Sequence, residues 1–273
     1  RLGVSCVSED IQVRVVRPLI SRCASAVVLS GTPKVALPRK TVGGVRRLQP
    51  GHVIVVDNGS SYIKAGAAGE DIPRASIPTV VGYVDDSCYV GRPALLRDGL
   101  DLNNPIHPSK DLDDVDWDAL GDIWEYTFCH ELRADPTQHP FLMTELPLMA
   151  EAARAKIAEL MFESFEAPAL HIANPAVLAL YARGTVTGLA VDCGNRLQIV
   201  PVVDGFAVSS AVYKTRKGFA GLTEYLAKLL GENRGATVAT PKDLEACRRA
   251  KEAHCYVSLD FENEYRRAEA SPA

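Results

Sequence analysis

Short apolar runs followed by turn residues mark the start of the folded part of the chain. Residues 52–57 are apolar and largely β-branched, and they end at Asp57, directly before Asn58-Gly59. Strand-like alternation resumes at residues 62–66. Runs of this kind bounded by turn residues are typical of buried strands. We therefore predict a β-hairpin whose turn carries Asp57, Gly59 and Ser60.

The same arrangement occurs a second time, more than a hundred residues later. An apolar run over 187–191 leads into Asp192-Cys193-Gly194-Asn195, and a second run follows over 197–203. This pattern predicts another strand that ends in an aspartate, a turn that contains glycine, and a returning strand. A further strand is expected over 206–212.

Helices are predicted where apolar residues recur with a period near 3.6. These segments are 111–134, 150–165, 176–183, 222–230 and 241–257. Brief strands are expected over 141–145 and 170–173, whereas the polar tail from residue 262 is expected to be frayed. Trp117 and Trp124 fall on the first of these helices, and we expect them to pack against neighbouring elements.

Composition is that of an ordinary soluble globular protein. Hydrophobic residues make up 47% and charged residues 23%, and the formal net charge is -4. This charge gives no general attraction to nucleic acid. The sequence contains no apolar run of about 18 residues, so no membrane-spanning helix is expected.

Seven cysteines are scattered along the chain without C-x-x-C spacing. An odd, scattered set favours reduced thiols in an intracellular compartment, and we expect most of them to be small core residues. No zinc site is expected, because the six histidines do not cluster with them.

Residues 1–50 form a basic N-terminal extension. The sequence starts at Arg1 instead of Met, and the extension carries nine Arg or Lys residues against Glu9 and Asp10. It has two interpretations that stay open: the remnant of an organelle-targeting segment or a docking arm, and a poorly ordered extension. A mitochondrial location and a cytoplasmic or cytoskeletal one are therefore both open.

The first hairpin has the residue types that hold phosphate. Backbone N–H groups of such a turn, with Ser60 and Lys64, can cradle phosphate oxygens. Asp57 can hold magnesium through water, because this ion keeps much of its hydration shell. Two hairpins that face each other would clamp the phosphates. If the D-N-G-S turn is considered alone, the favoured interpretation is two ordinary hairpins, in which these residues shape the turns and do not bind phosphate.

A wider resemblance changes that balance. The stretch VIVVDNGSSYIKAGAAGEDIPRASIPTVV (Val53–Val81) closely resembles the opening phosphate-loop segment of actins. FLMTELPL (Phe141–Leu148), MFESFEAPALHIANPAVLALYARGTVTGLAVDCG (Met161–Gly194) and RRAKEAHCYVSLDFENE (Arg248–Glu264) resemble later segments in the same order. The chain is therefore identified as a member of the actin and actin-related protein family.

The resemblance implies two RNase H-like α/β lobes around a cleft for ATP and Mg²⁺. The first lobe is expected over 51–186, with a shortened insertion near 82–105, and a partial second lobe over 187–273. By this matching, the nucleotide contacts and the water-mediated metal contacts fall on the following positions: Asp57, Gly59, Ser60, Lys64, Asp192, Gly194, Lys251 and Glu252.

Three positions depart from the family pattern. Pro175 stands where the family has the glutamine that orients the attacking water, and proline has no side chain for that task. Asn195 replaces an acidic residue in a second phosphate loop that is about one residue shorter and has lost a glycine. Ser61 replaces a glycine in the first loop.

The sequence ends at Ala273, and the resemblance leads us to expect that more than a third of the family's length is absent. We expect a catalytically inactive structural subunit of a larger assembly, whose partners cover the truncated lobe faces. No catalytic residue and no cofactor are assigned on this hypothesis, and filament formation is not expected. The alternative is an ATP-binding actin-like ATPase or switch, with ATP and Mg²⁺, of which this chain is a part.

Overall fold

A computed structural model describes eight stretches of the chain. These are residues 26–28, by their backbone, 48–85, 87–106, 115–145, 149–215, 218–235, 237–238 and 240–270. Most of the predicted N-terminal extension thus lies outside the described residues. The described part of the chain divides between Ala220 and Gly221 into a larger unit before this point and a smaller unit after it. The predicted lobe boundary at 186/187 is a different division and stays a prediction.

The described elements follow one another in this order. The strands are β1 (Ala26–Val28), β2 (Ile54–Asn58), β3 (Tyr62–Ala67), β4 (Ala75–Pro78), β5 (Val81–Val84), β6 (Ser87–Val90), β7 (Asp101–Asn103), β8 (Phe141–Thr144), β9 (Leu170–Ala173), β10 (Gly188–Cys193), β11 (Leu197–Val203), β12 (Phe206–Ala207) and β13 (Tyr213–Thr215). The α-helices are α1 (Arg92–Leu96), α2 (Trp117–Glu125), α3 (Glu151–Glu159), α4 (Pro175–Tyr181), α5 (Phe219–Arg234), α6 (Pro241–His254) and α7 (Phe261–Ala270).

The first hairpin lies in a sheet with the strand order β4-β3-β2-β8-β9. Strands β2 and β3 are antiparallel, as the sequence predicts. Asp57 lies within β2, opposite Lys64, so that of the residues predicted for the turn Gly59 and Ser60 are in it and Asp57 is not. Strands β2, β8 and β9 are parallel to one another. The alternate residues Ile54 and Val56 are fully buried in the main hydrophobic core, because successive side chains of a strand point to opposite faces.

The second hairpin lies in another sheet of the larger unit, with the order β1-β10-β11-β12 and with β13 also paired to β11. Strands β10 and β11 are antiparallel, and their last pair is Cys193 opposite Leu197. The turn therefore consists of residues 194–196 and contains the predicted glycine, although β10 continues one residue past Asp192, where the strand was expected to end. Ala190, Val200 and Leu180 of α4 are buried together beside this sheet.

Three short strands form a third, small sheet, in which β5 lies between β6 and β7. Helix α1 lies between β6 and β7 in the chain. The predicted shortened insertion near 82–105 falls here, and its relation to longer relatives stays a prediction.

Some predicted elements are corrected by the structure. The strand expected over 206–212 is only β12, followed by a 3₁₀ turn at Ser209–Ala211. The tail is not frayed from residue 262, because α7 spans Phe261–Ala270. The long helix expected over 111–134 is α2 followed by a π-helical turn at Tyr126–Glu131. Helix α3 also continues into a π-helical turn, at Leu160–Ser164.

The smaller unit contains α6 and α7 and most of α5. Helix α6 begins with a capping box, in which Thr240 and Asp243 each accept a hydrogen bond from the other's backbone N–H. Such a box satisfies donors that the first turn of a helix leaves unpaired. Among the described helices, none is long and apolar enough to cross a membrane.

The cysteine prediction is wrong in one respect. Of the cysteines that the structure describes, Cys88, Cys129 and Cys255 are exposed, Cys193 is half-buried and Cys247 is buried. Small apolar side chains are often core residues, but Cys88 and Cys129 lie at exposed positions of β6 and of a π-helical turn, and Cys255 directly follows the end of α6.

Candidate functional site

Three parallel strands bring the candidate site together at one edge of the first sheet. The carboxyl ends of parallel strands lie at the same edge, and here they are Asp57 of β2, Thr144 of β8 and Ala173 of β9. Asn174 and Pro175 follow β9 directly. The edge of such a sheet is where α/β folds commonly bind ligands.

Asp57 is almost completely buried, with 6% of its surface exposed. Its Oδ1 accepts a hydrogen bond from the Thr144 hydroxyl at 2.9 Å. Its Oδ2 lies 3.6 Å from Lys64 Nζ. Burial raises the pKa of Asp57 to about 6, although Lys64 and Thr144 both act in the opposite direction.

Asn58 is a structural residue that the sequence prediction left without a role. Its backbone N–H donates to Thr144 Oγ1 at 2.9 Å, and its Nδ2 donates to the Thr144 carbonyl oxygen at 3.1 Å. Its Oδ1 accepts from the indole Nε1 of Trp124 at 3.0 Å. Trp124 is fully buried, so its predicted packing role is confirmed. The asparagine therefore fixes the end of β2 to β8 and α2.

The second hairpin lies close to the first. Burial raises the pKa of Asp192 to about 7, and the charge of Asp57 adds to this rise, whereas Lys64 opposes it. Asn195 Nδ2 donates to Ser60 Oγ at 3.0 Å. The structure therefore brings together Asp57, Lys64 and Ser60 of one hairpin with Asp192 and Asn195 of the other.

Glycine is required at the first turn by close packing. A Cβ atom on Gly59 would lie 2.4 Å from the Tyr62 carbonyl oxygen. The Gly59 carbonyl oxygen accepts from Thr79 Oγ1 at 2.6 Å. Among the described residues, the backbone N–H groups of Ser60 and Ser61 have no hydrogen-bond acceptor. Two such donors in a tight turn are what a phosphate oxygen needs.

Both backbone groups of Gly194, in the second turn, are paired with protein atoms. The Gly194 N–H donates to the Arg196 carbonyl oxygen at 3.0 Å, and the Gly194 carbonyl oxygen accepts from the Phe219 N–H at 2.9 Å. Gly218 lies against the same turn, since a Cβ atom there would be 2.3 Å from the Asn195 carbonyl oxygen.

Pro175 occupies the first turn of α4 at the edge where Asp57 lies. Asn174 caps this helix, and its Oδ1 accepts from the Ala176 N–H at 2.9 Å. Proline is suited to the first helical position because the N–H of that residue has no partner within the helix. The local sequence thus builds a stable helix start that presents no polar side chain at residue 175.

A comparison with protein families identifies the chain. The family model described as Actin matches residues 49–273, which is more than half of the chain. The chain belongs to the actin family. The match includes both hairpins and Pro175, and the described structure has the mixed α/β content of an actin-family domain.

ATP with Mg²⁺ is the ligand that actin-family membership implies, and the two hairpins differ in how well they fit it. The first hairpin fits a phosphate, with the unpaired N–H groups of Ser60 and Ser61 beside Lys64. The second fits it less well, because the Gly194 N–H is used within its own turn and the Asn195 side-chain amide donates to Ser60. The second turn therefore offers fewer donors to a phosphate than the first.

The predicted adenine and ribose contacts, Lys251 and Glu252, lie on α6 in the smaller unit. Lys251 Nζ donates to Thr223 Oγ1 at 2.8 Å, and Glu252 Oε1 accepts from Arg248 Nη1 at 2.6 Å. Burial is the main cause that lowers the pKa of Lys251. Their assignment to a nucleotide stays a prediction.

Sequence reasoning missed Asn58, Thr144 and Trp124 as parts of the site. The only signal in the sequence is the Thr-Glu end of β8, which the family resemblance includes. Within the described residues, no group of three or more His, Cys, Asp and Glu side chains is placed to hold a metal ion. Asp57 and Asp192 are two such side chains, one fewer than a group of this kind contains.

Proposed function

We propose that this actin-family chain is a catalytically inactive structural subunit of a larger protein assembly. The observation that carries the proposal is Pro175, which lies at the same carboxyl edge of the sheet as the buried Asp57, two strands away. A side chain that orients an attacking water needs a hydrogen-bonding group, and residue 175 has neither such a group nor a backbone N–H.

The second hairpin supports the same proposal. Its turn is held by the Gly194–Arg196 and Phe219–Gly194 backbone hydrogen bonds, and its Asn195 side chain reaches Ser60. Backbone groups that are already paired within the protein are not available to phosphate oxygens. The absence of hydrogen bonds from these groups to phosphate oxygens is expected to weaken nucleotide binding.

Exposed apolar residues support a role in an assembly. Val257 and Leu259 are two positions apart in the smaller unit and are 70% and 101% exposed. Large exposed apolar side chains that lie near one another often mark protein interaction surfaces. The partners proposed are protein subunits; neither nucleic acid nor a membrane is invoked.

Native purification tests the assembly role. We expect the natively purified chain to migrate far above its own 29.5 kDa and to release less than about a tenth of an equivalent of ATP or ADP on denaturation. A monomer of that mass would contradict the structural role. Stoichiometric nucleotide would contradict the inactive pocket and turn attention to the second candidate.

The second candidate is an ATP-binding actin-like ATPase or switch. The unpaired N–H groups of Ser60 and Ser61, with Lys64 near Asp57, favour it. Equilibrium dialysis with ATP and Mg²⁺ separates the two candidates. This candidate expects saturable binding that Lys64→Met weakens by at least about tenfold, since it removes a charge-assisted contact. The matched control is Lys228→Met, which removes an exposed lysine that pairs with Glu232.

A further inference from the structure

One hydrogen bond joins the turns of the two hairpins. Asn195 Nδ2 donates to Ser60 Oγ at 3.0 Å, although the residues are 135 positions apart in the chain. Both residues are half-buried. A hydrogen bond between such distant positions, partly shielded from water, links the sheet of β2 and β3 to the sheet of β10 and β11 at the candidate site.

Each end of this contact is fixed by its own surroundings. On the first hairpin, the Ser60 carbonyl oxygen accepts from Asn104 Nδ2 at 3.0 Å, and the Ser61 carbonyl oxygen accepts from the Thr79 N–H at 3.0 Å. On the second, Gly218 packs against the Asn195 backbone. Neither turn depends on a ligand to hold its conformation.

Charge explains why an amide suits residue 195. The charges of Asp57 and Lys64 already act on the pKa of Asp192, in opposite directions. A carboxylate at residue 195 would add a negative charge to this group and increase the repulsion between the two turns. The neutral Asn195 amide donates a hydrogen bond without that repulsion, so the turns can approach without a bound cation.

We propose that the Ser60–Asn195 hydrogen bond is a clasp that holds the two hairpins together in the absence of nucleotide. The clasp takes the bridging place that a phosphate chain would have between two such turns. This inference rests on the proposed function, because it concerns the same pair of hairpins, and it assigns Asn195 a positioning role within them.

Hydrogen exchange on the full chain without nucleotide tests the clasp. Ser60→Ala and Asn195→Ala should each speed amide exchange in residues 59–61 and 194–196 by about fivefold, the loss expected for one net hydrogen bond. The double variant should exchange no faster than either single variant, because both remove the same contact.

The control is Ser76→Ala, at an exposed serine on β4, and it should leave exchange in both turns unchanged. Additive effects, or unchanged exchange in the single variants, would overturn the clasp.

A second measurement needs no substitution. Exchange in the same two turns of the unaltered protein is compared with and without millimolar ATP and Mg²⁺. Equal protection is expected if the clasp replaces the nucleotide, whereas a further slowing of about tenfold in both turns would overturn it. The proposed function fails separately, through ATP hydrolysis or a monomeric native state, and neither result depends on the exchange rates of the variants.

Discussion

The Thr144 hydroxyl donates a hydrogen bond to Asp57 Oδ1 at 2.9 Å, and the same oxygen of Thr144 accepts from the Asn58 N–H. Thr144 thereby ties the end of β2 to the end of β8 and partly offsets the cost of burying the Asp57 carboxylate. The candidate site is built on this contact between two parallel strands.

Removal of the Thr144 hydroxyl should destabilise the protein. Thr144→Val leaves both the Asp57 carboxylate and the Asn58 N–H without this partner, so we expect a loss of about 3 kcal/mol in the free energy of unfolding. Urea denaturation monitored by circular dichroism measures it. Thr237→Val, at an exposed threonine, is the matched control and should change stability by less than about 0.5 kcal/mol. Equal effects at the two sites would contradict the role of Thr144.

Stability should fall as the pH rises from about 4 to about 7. Burial raises the folded-state pKa of Asp57 to about 6 and that of Asp192 to about 7. Between the unfolded and folded pKa values the folded state binds more protons than the unfolded state, so its advantage is present at low pH and is lost as each carboxyl ionises. Urea unfolding across this range measures the slope.

Asp192→Asn should flatten that slope, because the amide does not ionise. Asp101→Asn, at an exposed position on β7, is the control and should leave the slope unchanged. A slope that is the same in the unaltered protein and in Asp192→Asn would show that the carboxyl of Asp192 does not contribute.

A methyl group at residue 218 should disturb the second turn. The Cβ atom of Gly218→Ala would lie 2.3 Å from the Asn195 carbonyl oxygen, and forced shifts of packed backbone cost about 1 to 3 kcal/mol. Gly221→Ala, three residues later in α5, meets nothing within 4 Å and should stabilise the helix by up to about 1 kcal/mol. Thermal unfolding should therefore move in opposite directions for the two variants, and a shared direction would contradict the close packing at residue 218.

The indole of Trp124 should contribute through its hydrogen bond as well as its size. Trp124→Phe leaves Asn58 Oδ1 without its donor and opens a cavity, and we expect a loss of about 2 kcal/mol. Trp117→Phe, at a half-buried position of the same helix, is the control and should cost less than about 1 kcal/mol. The test is denaturant unfolding by circular dichroism, and equal losses would contradict the Asn58 contact.

Local sequence predicted the two hairpins because their signals are local. An apolar run that ends at Asp57 or Asp192 before a glycine specifies a strand and a turn within a few residues. The strand β9 and the helix that starts near Pro175 were found in the same way. The polar segment after residue 262 was misjudged, because the amphipathic stripe of α7 is sparse and includes Phe261 and Tyr265 among charged residues.

The contacts of the site could not be read from the sequence. The Asn195–Ser60 bond depends on the approach of two sheets, and the Trp124–Asn58 bond depends on the position of α2 over β2. Turn asparagines usually bond their own backbone, so nothing local indicated that Asn58 and Asn195 bond distant residues.

Single-turnover ATP hydrolysis by the purified chain, with Mg²⁺ and enzyme in excess over labelled ATP, tests the central claim most directly. The account predicts no phosphate release above the protein-free rate, because residue 175 offers no group to orient water. Mg²⁺-dependent phosphate release that Asp57→Asn abolishes would assign hydrolysis to this site and contradict the claim that the chain is catalytically inactive.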